Sequence, residues 1–263
     1  TKLLYEYLGD LIVLDVGGAT TDLHSVTVES DQVARLMISP EPKAKRTVEG
    51  DLGVYVNRWK VVESIGEEQC REQGFSMEHA LETYRAIPKT EEEVKLVELL
   101  TREAVVKAAE RHAGRLRYIY GPSGRSTVAE GKDLTQVKYI VGTGGALTRL
   151  PHREEIMREI TRCNESGMLL LPGEHAQILV DHDYIMASLG VLSKRYPQAA
   201  ARLLEQSLGI PFPERKAEEP VPVCNKELSR LETQRQQREE ELQRHIEECE
   251  AMGYDMSAYR ENK

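Results

Sequence analysis

The first apolar run of the chain is short and bounded by glycines. Leu11–Leu14 are all apolar, and Gly17-Gly18 follow shortly afterwards. A run of this length beside turn residues is typical of a buried β-strand. After the glycines, Leu23, Val26 and Val28 alternate with residues that include Thr and Ser. The pattern therefore predicts a strand, a tight turn and a second strand, with no helix directly after the turn.

Further along the chain, apolar residues at helical spacing predict helices. The clearest case is 91–111, where Thr90 and Glu93 have the spacing of a capping box. Other helices are predicted at 52–62, 77–86, 152–163 and 183–196, and strands at 116–120, 126–129 and 137–141. Prolines at 211, 213, 220 and 222 indicate a stiff linker. Beyond it, a highly charged helix is predicted at 226–249, solvated or loosely docked, because Arg235 and Arg238 break its apolar stripe.

Composition narrows the classes of function. The 263 residues carry 40% hydrophobic and 30% charged residues and a formal net charge of −9, which favour a globular protein and argue against nucleic-acid or anionic-membrane binding. No apolar run of about 18 residues is present, and the start lacks a signal-peptide pattern. Four widely spaced cysteines suit a reducing cytoplasm and form no metal-ligand set. The first residue is Thr1, from which we expect further residues upstream.

The turn after the first strand reads Asp15-Val16-Gly17-Gly18-Ala19-Thr20-Thr21-Asp22. Two glycines let backbone N–H groups approach an anion, and the hydroxyls of Thr20 and Thr21 can donate to phosphate oxygens. Carboxylates beside a phosphate repel it unless a cation lies between them, so Asp15 and Asp22 indicate Mg²⁺. A plain Gly-Gly hairpin is the alternative. A P-loop is excluded, because no Gly-Lys-Ser/Thr follows.

A second glycine-rich turn, Gly142-Thr143-Gly144-Gly145-Ala146, ends the strand predicted at 137–141. Alone, it is equally consistent with a structural turn. Asp181-His182-Asp183 could hold a metal, but capping of the following helix by an aspartate is the better interpretation. The loop 121–127 lacks the lysine of a phosphate-binding loop.

Residues 15–22 resemble the second phosphate motif of the actin/Hsp70/sugar-kinase superfamily, a β-hairpin that holds the β- and γ-phosphates of ATP. Both glycines, Thr20 and both aspartates match, whereas Ala19 replaces a frequent third glycine. Residues 142–146 resemble the superfamily's adenosine motif, and the order and spacing of the two motifs agree. Glu49-Gly50 resembles a turn that approaches the nucleotide. The stretches 45–54, 130–135 and 141–147 are similar to the glutamate mutase accessory family, GlmL or MutL, over about residues 5–212.

This resemblance implies an α/β fold: a ribonuclease H-like, actin-type ATPase domain with a mixed five-stranded sheet, an inserted smaller subdomain and a C-terminal helical tail. It implies a nucleotide-binding subdomain at 1–35 and 136–212, an insertion at 36–135, a linker at 213–224 and the tail at 225–263. ATP or ADP with Mg²⁺ would be the cofactor. The implied catalytic and metal-binding residues are Asp15 and Asp22; the implied nucleotide-binding residues are Gly17, Gly18, Thr20, Thr21, Glu49, Gly50, Gly142, Gly144, Gly145 and Ala146.

The implied activity is ATP-dependent reactivation of an adenosylcobalamin-dependent aminomutase such as glutamate mutase, whose subunits would be partners. The superfamily's first phosphate motif has no copy here, so the N-terminal half is an expected partner. We therefore expect little hydrolysis by this chain alone. A small-molecule kinase of the same fold and a non-catalytic interaction module are alternatives. The related iron–sulfur dehydratase activators are disfavoured, because no paired cysteine motif is present.

Overall fold

The computed structural model of the protein describes residues 1–75, 85–122, 124–164 and 166–213. Thr1–Glu214 form one compact unit. The helices predicted at 77–86 and 226–249 and the linker at 213–224 lie wholly or almost wholly outside the described residues. No described helix is both long enough and apolar enough to cross a bilayer.

A mixed five-stranded sheet forms the centre of the unit, with strand order β3-β2-β1-β6-β7. β1, β2 and β3 are consecutive antiparallel strands, whereas β6 and β7 run parallel to β1. A separate antiparallel pair is formed by β4 and β5. The strands are β1 (Leu11–Val16), β2 (Thr21–Val26), β3 (Ala44–Glu49), β4 (Arg115–Gly121), β5 (Gly124–Glu130), β6 (Tyr139–Thr143) and β7 (Gln177–Val180).

Helices flank the sheet on both faces, as predicted for the α/β class. The helices are α1 (Lys2–Leu8), α2 (Asp31–Ala34), α3 (Arg58–Ile65), α4 (Glu67–Glu72), α5 (Glu91–His112), α6 (Gly144–Arg149), α7 (Arg153–Arg158), α8 (Met186–Leu192) and α9 (Pro197–Leu208), with a 3₁₀ turn at Glu159–Thr161. The capping box of α5 is confirmed, because Thr90 Oγ1 accepts from Glu93 N and the Glu93 carboxylate accepts from Thr90 N.

The side chains of β1 alternate between two hydrophobic cores, as strand pleating requires. Ile12, Leu14 and Val16 pack with α3, α5, α6 and α7 on the first face. Leu11 and Val13 pack with α1, α8 and α9 on the second face. Burial on both faces explains why β1 appears in the sequence as a continuous apolar run.

The edge strand β3 and the segment after it differ from the prediction. Residues 52–57 were predicted to start a helix, but α3 begins only at Arg58. The N–H groups of Val54, Tyr55 and Val56 instead bind the carbonyls of Gly17 and Gly18. A segment whose donors bond to another loop cannot form the hydrogen bonds of a helix.

The predicted insertion boundaries, 36–135, stay a prediction. Within that range, β3 pairs with β2 and α5 packs in the first core. The helix predicted at 183–196 is shorter, because α8 covers only Met186–Leu192 and Pro197 begins α9. Pro fits the first turn of a helix, where its missing N–H is not needed. The helices α1, α2, α4, α6 and α9 and the strands β3 and β7 were not predicted.

Candidate functional site

The β1–β2 turn has the hairpin geometry predicted from its sequence. The paired strands place Asp15 directly opposite Asp22 and Val16 opposite Thr21. Gly17 N donates to Thr20 O at 2.9 Å and closes the turn. Gly18 and Ala19 at its tip are exposed. Among the described residues, no acceptor bonds to the backbone N–H of either tip residue.

A loop from residue 50 to 57 supports this turn from the side of α3. Tyr55 N donates to Gly18 O at 2.9 Å, and Val54 N donates to Gly17 O at 3.2 Å. Asn57 Nδ2 joins the two loops, donating to Ala19 O at 3.0 Å and to Gly50 O at 2.6 Å. These bonds use the carbonyls of the turn and hold it in one shape.

The two aspartates at the base of the turn differ in their surroundings. Asp22 accepts from Arg46 Nη2 at 2.7 Å and from Thr20 Oγ1 at 3.2 Å. No hydrogen bond reaches the carboxyl oxygens of Asp15 from any described residue. Burial, followed by repulsion from Asp22 and Asp181, raises the pKa of Asp15 above its usual value. Asp15 is therefore an unpaired carboxyl that a cation would stabilise.

The glycine-rich turn after β6 lies directly against this hairpin. Thr143 pairs with Asp15 between the parallel strands. Gly144 has φ of +88°, and a Cβ added there would lie 2.5 Å from Val16 O and 2.6 Å from Asp15 Oδ1. Only glycine fits this close approach. Two motifs that are far apart in the chain thus form one surface.

Not every predicted residue faces that surface. Strand pairing puts Thr21 and Glu49 on the opposite face of the sheet from Asp15 and Asp22. Thr21 is fully buried, and its hydroxyl donates to Leu52 O at 2.8 Å. Glu49 accepts from Arg111 of α5 at 2.7 Å.

The glycines also differ in their surroundings. A Cβ on Gly142 would clash with Met157, so this glycine is needed for packing under α7. Around Gly145, in contrast, no heavy atom lies within 4 Å of the Cβ position. Gly145 is exposed, and it presents bare backbone to the space beside the hairpin.

Asp181 holds the elements behind the turn together. Its buried carboxylate accepts from Thr143 Oγ1 at 2.8 Å, Ser207 Oγ at 2.6 Å and Met186 N at 2.9 Å. A bond from Ile185 N at 3.2 Å completes the set. Asp181 thus accepts from N–H groups at the start of α8, whereas the N-cap position itself is occupied by Ile185. Within the described ranges, no cluster of three or more His, Cys, Asp or Glu that could hold a metal occurs.

A cavity of about 630 Å³ opens beside the two motifs. Its lining is mostly apolar and comes from the end of β1, the 54–55 loop, residues 86–88, the start of α5, and α6 with the turn after it. The side chains that bring polar groups to the lining include those of Arg149 and Tyr184. Tyr184 has a φ of 55°, which non-glycine residues rarely adopt.

Sequence reasoning found Gly18, Gly145 and Ala146 of the cavity wall but missed its larger side chains, Tyr55 and Arg149 among them. Arg149 lies in the last turn of α6, a helix that was not predicted. Tyr55 lies in a loop that was predicted as helix. The usable signals were an aromatic residue, Tyr55, two positions after Gly53, and a basic residue, Arg149, three positions after Ala146.

Comparison with known proteins agrees with the family resemblance found in the sequence. The family model "MutL protein" matches residues 1–208. The Protein MutL of Clostridium tetanomorphum is 35% identical over 213 residues, which cover 76% of this chain and 46% of that protein. The chain thus spans about half the length of this curated relative. The family match covers the hairpin, the second glycine-rich turn and the whole five-stranded sheet, and the chain belongs to the MutL family.

Proposed function

We propose that this chain is the nucleotide-binding half of an actin-type ATPase and that ATP or ADP with Mg²⁺ binds beside the β1–β2 turn. One observation carries the proposal: Val16 and Gly18 of the hairpin and Gly145 and Ala146 of the second glycine-rich turn line one apolar cavity, and Gly144 lies directly against Asp15. Neither motif alone distinguishes a binding site from a structural turn.

The sheet topology supports the assignment to the ribonuclease H-like, actin-type fold. The resemblance implies a mixed five-stranded sheet, and the sheet of this chain has three antiparallel strands and two further strands that run parallel to the first. The function is argued from the site, because one fold hosts many activities.

The residues present fit a magnesium–phosphate group. Mg²⁺ is commonly held by one or two carboxylates together with substrate phosphates and water. Asp15 has a raised pKa and no hydrogen-bond donor among the described residues, so a cation would relieve its repulsion from Asp22. Bound there, Mg²⁺ would neutralise charge on the phosphates. The free N–H groups of Gly18 and Ala19 and the hydroxyl of Thr20 would contact phosphate oxygens.

The nucleoside fits the cavity. Its volume lies within the range of about 300–1,000 Å³ that is common for small-molecule sites. The apolar lining suits a purine ring, Gly145 leaves backbone open for close contact, and Arg149 can stack on an aromatic ring. We assign supporting roles to Thr21, Glu49 and Gly142, because the Thr21 hydroxyl donates to Leu52 O, Glu49 pairs with Arg111 and Gly142 packs against Met157.

For the whole protein we propose ATP-dependent assistance or reactivation of an adenosylcobalamin-dependent aminomutase such as glutamate mutase. This rests on the family resemblance and on the length of the relative, which leaves room for an N-terminal half that would complete the ATP cleft. Closure of two halves around nucleotide would drive the change in the partner. A small-molecule kinase remains the second candidate, and an acceptor screen with the intact polypeptide that yields a phosphorylated product would favour it.

Isothermal titration of the intact polypeptide with MgATP and MgADP tests the site. Asp15→Asn should weaken MgATP binding at least about tenfold, through loss of the cation ligand. Asp183→Asn, at an exposed aspartate outside the site, is the matched control and should bind as wild type does. The isolated chain should show little hydrolysis. Equal affinity of the two variants, or robust turnover by the isolated chain, would contradict the proposal.

A further inference from the structure

The β4–β5 hairpin, residues 115–130, forms an arm that is anchored only at its base. Leu116 N donates to Met168 O at 2.7 Å on one edge. Ala129 N donates to Leu36 O at 2.7 Å, and Ile38 N donates to Ala129 O at 3.1 Å, on the other edge. Past these bonds, the outer edges of both strands make no backbone hydrogen bond to any other described segment.

The arm carries large apolar side chains into solvent. Leu116 and Ala129 pack in a small core with Val33 and Leu170 at the base. Strand alternation places Tyr118 and Tyr120 on the same face, beyond that core. Tyr120 is 79% exposed, and Ile119 on the other face is 51% exposed. A protruding cluster of exposed aromatic and aliphatic residues is a mark of protein–protein contact.

The charge of the arm is opposite to that of the chain. Residues 115–130 contain three arginines and one glutamate, a net charge of +2, in a chain of net charge −9. Arg117 pairs with Glu130 at 2.8 Å, which leaves Arg115 and Arg125 without a carboxylate partner among the described residues. The guanidinium of Arg125 lies 4.5 Å from the centre of the Tyr118 ring. Tyr and Arg, together with Trp, are enriched among the residues that contribute most to binding near the centre of interfaces.

We propose that this arm docks on an acidic protein surface, with Tyr120 inserted in an apolar pocket and Arg125 paired with a carboxylate of the partner. Resting on the proposed function, we name the partner as an aminomutase subunit. Pairing with the arm of a second copy is disfavoured, because it would bring like-charged arginines together. Nucleic acid is disfavoured, because two net positive charges on an acidic chain neutralise few phosphates.

The test measures binding of purified adenosylcobalamin-dependent glutamate mutase subunits to the intact polypeptide. Tyr120→Ala and Arg125→Glu should each weaken binding at least tenfold, and the wild-type affinity should fall with added salt. Tyr196→Ala is the matched control, because Tyr196 is 51% exposed and also carries an arginine, Arg195, over its ring. The control should bind as wild type does. Nucleotide titration of the same variants should be unchanged, which separates the arm from the ATP site.

Normal mutase binding by both arm variants overturns the inference while leaving the proposed function intact. If wild type binds no mutase subunit, the proposed partner of the whole protein is wrong. Docking by the arm is then tested separately, by photo-cross-linking from position 120 in a cell lysate. A captured protein supports the inference only if, once purified, it binds wild type and loses affinity for Tyr120→Ala. A cross-link to nucleic acid, to a second copy or to the same polypeptide, or no cross-link at all, overturns it.

Discussion

Gly144 lies so close to Asp15 that a Cβ on the glycine would approach Asp15 Oδ1 to 2.6 Å. The two residues are far apart in the chain. They come into contact because β1 and β6 are parallel neighbours, which places the end of β1 beside the second glycine-rich turn. The geometry of the carboxylate at the site thus depends on the absence of a side chain on the first residue of α6.

Gly144→Ala should therefore destabilise the protein by about 1–3 kcal/mol, because it adds a clash to a left-handed backbone conformation. Gly145→Ala should change stability much less, since its Cβ position is open. Urea unfolding followed by the fluorescence of Trp59, the only tryptophan, measures both. Equal stability of the two variants would show that the close approach to Asp15 does not exist.

Asp15→Asn should raise stability while weakening MgATP binding. The pKa of Asp15 is raised by burial and by the neighbouring carboxylates, so its ionised form destabilises the folded state at neutral pH. The gain should be up to about 1 kcal/mol, because the side chain is only partly buried and solvent screens part of the repulsion. Thermal unfolding at pH 7 and at lower pH measures it, and the gain should shrink as the pH falls, because the raised pKa of Asp15 lets more of the wild-type carboxyl take up a proton. A loss of stability at pH 7 would contradict the repulsion.

His112 should make the protein sensitive to acid. It is fully buried, with Nδ1 2.9 Å from Thr47 Oγ1 and Nε2 2.8 Å from Ser25 Oγ. Burial, with smaller contributions from Lys45 and other cations, lowers the pKa of His112 to about 3. Between about pH 6.5 and pH 3 the unfolded chain binds a proton at this histidine and the folded chain does not, so stability falls as pH falls, by up to about 5 kcal/mol in total.

Urea unfolding across this pH range tests the effect of His112. The free energy of unfolding of His112→Gln should fall less steeply with falling pH than that of wild type, whether or not the variant is less stable at pH 8. His175→Gln, at an exposed histidine, should keep the wild-type slope. If His112→Gln and wild type lose stability in parallel, the buried histidine is not the cause.

Asp181→Ala should destabilise the protein by about 3 kcal/mol or more, because it leaves the hydroxyls of Thr143 and Ser207 and two helix N–H groups without their acceptor in a buried site. Asp183→Ala, two residues away and exposed, should stay within about 0.5 kcal/mol of wild type. Hydrogen exchange should show faster opening of α8 in the first variant only. Unchanged protection of α8 would contradict the role of Asp181.

Loss of the Arg111 contacts should loosen the loop that supports the hairpin. Arg111 donates to Glu49 and, through both terminal nitrogens, to Asp51, and this hydrogen bonding lowers the pKa of Asp51. Because Arg111 and Asp51 are exposed, Arg111→Ala should lower stability by only about 1 kcal/mol or less. Hydrogen exchange at Val54–Val56 should become faster. Arg102→Ala, at another exposed α5 arginine in a surface ion pair, is the control.

The sequence was sufficient wherever the determinant was local. Leu11–Leu14 and the glycines after them set a buried strand and a tight turn, and Thr90 with Glu93 set the start of α5. The motifs at 15–22 and 142–146 could be found because close backbone turns need glycine at fixed positions. The family, too, followed from short stretches of sequence, at 45–54, 130–135 and 141–147.

Tertiary structure decided which members of those motifs share a surface. Thr21 and Asp22 are adjacent in the chain, but strand pleating turns them to opposite faces, so one hydroxyl is buried under Leu52 and one carboxylate lies beside Asp15. The loop at 52–57 has no helix because its donors bond to carbonyls of the distant hairpin. Local propensity cannot contain such information, since the partners of these groups are brought within reach only when separate strands pair.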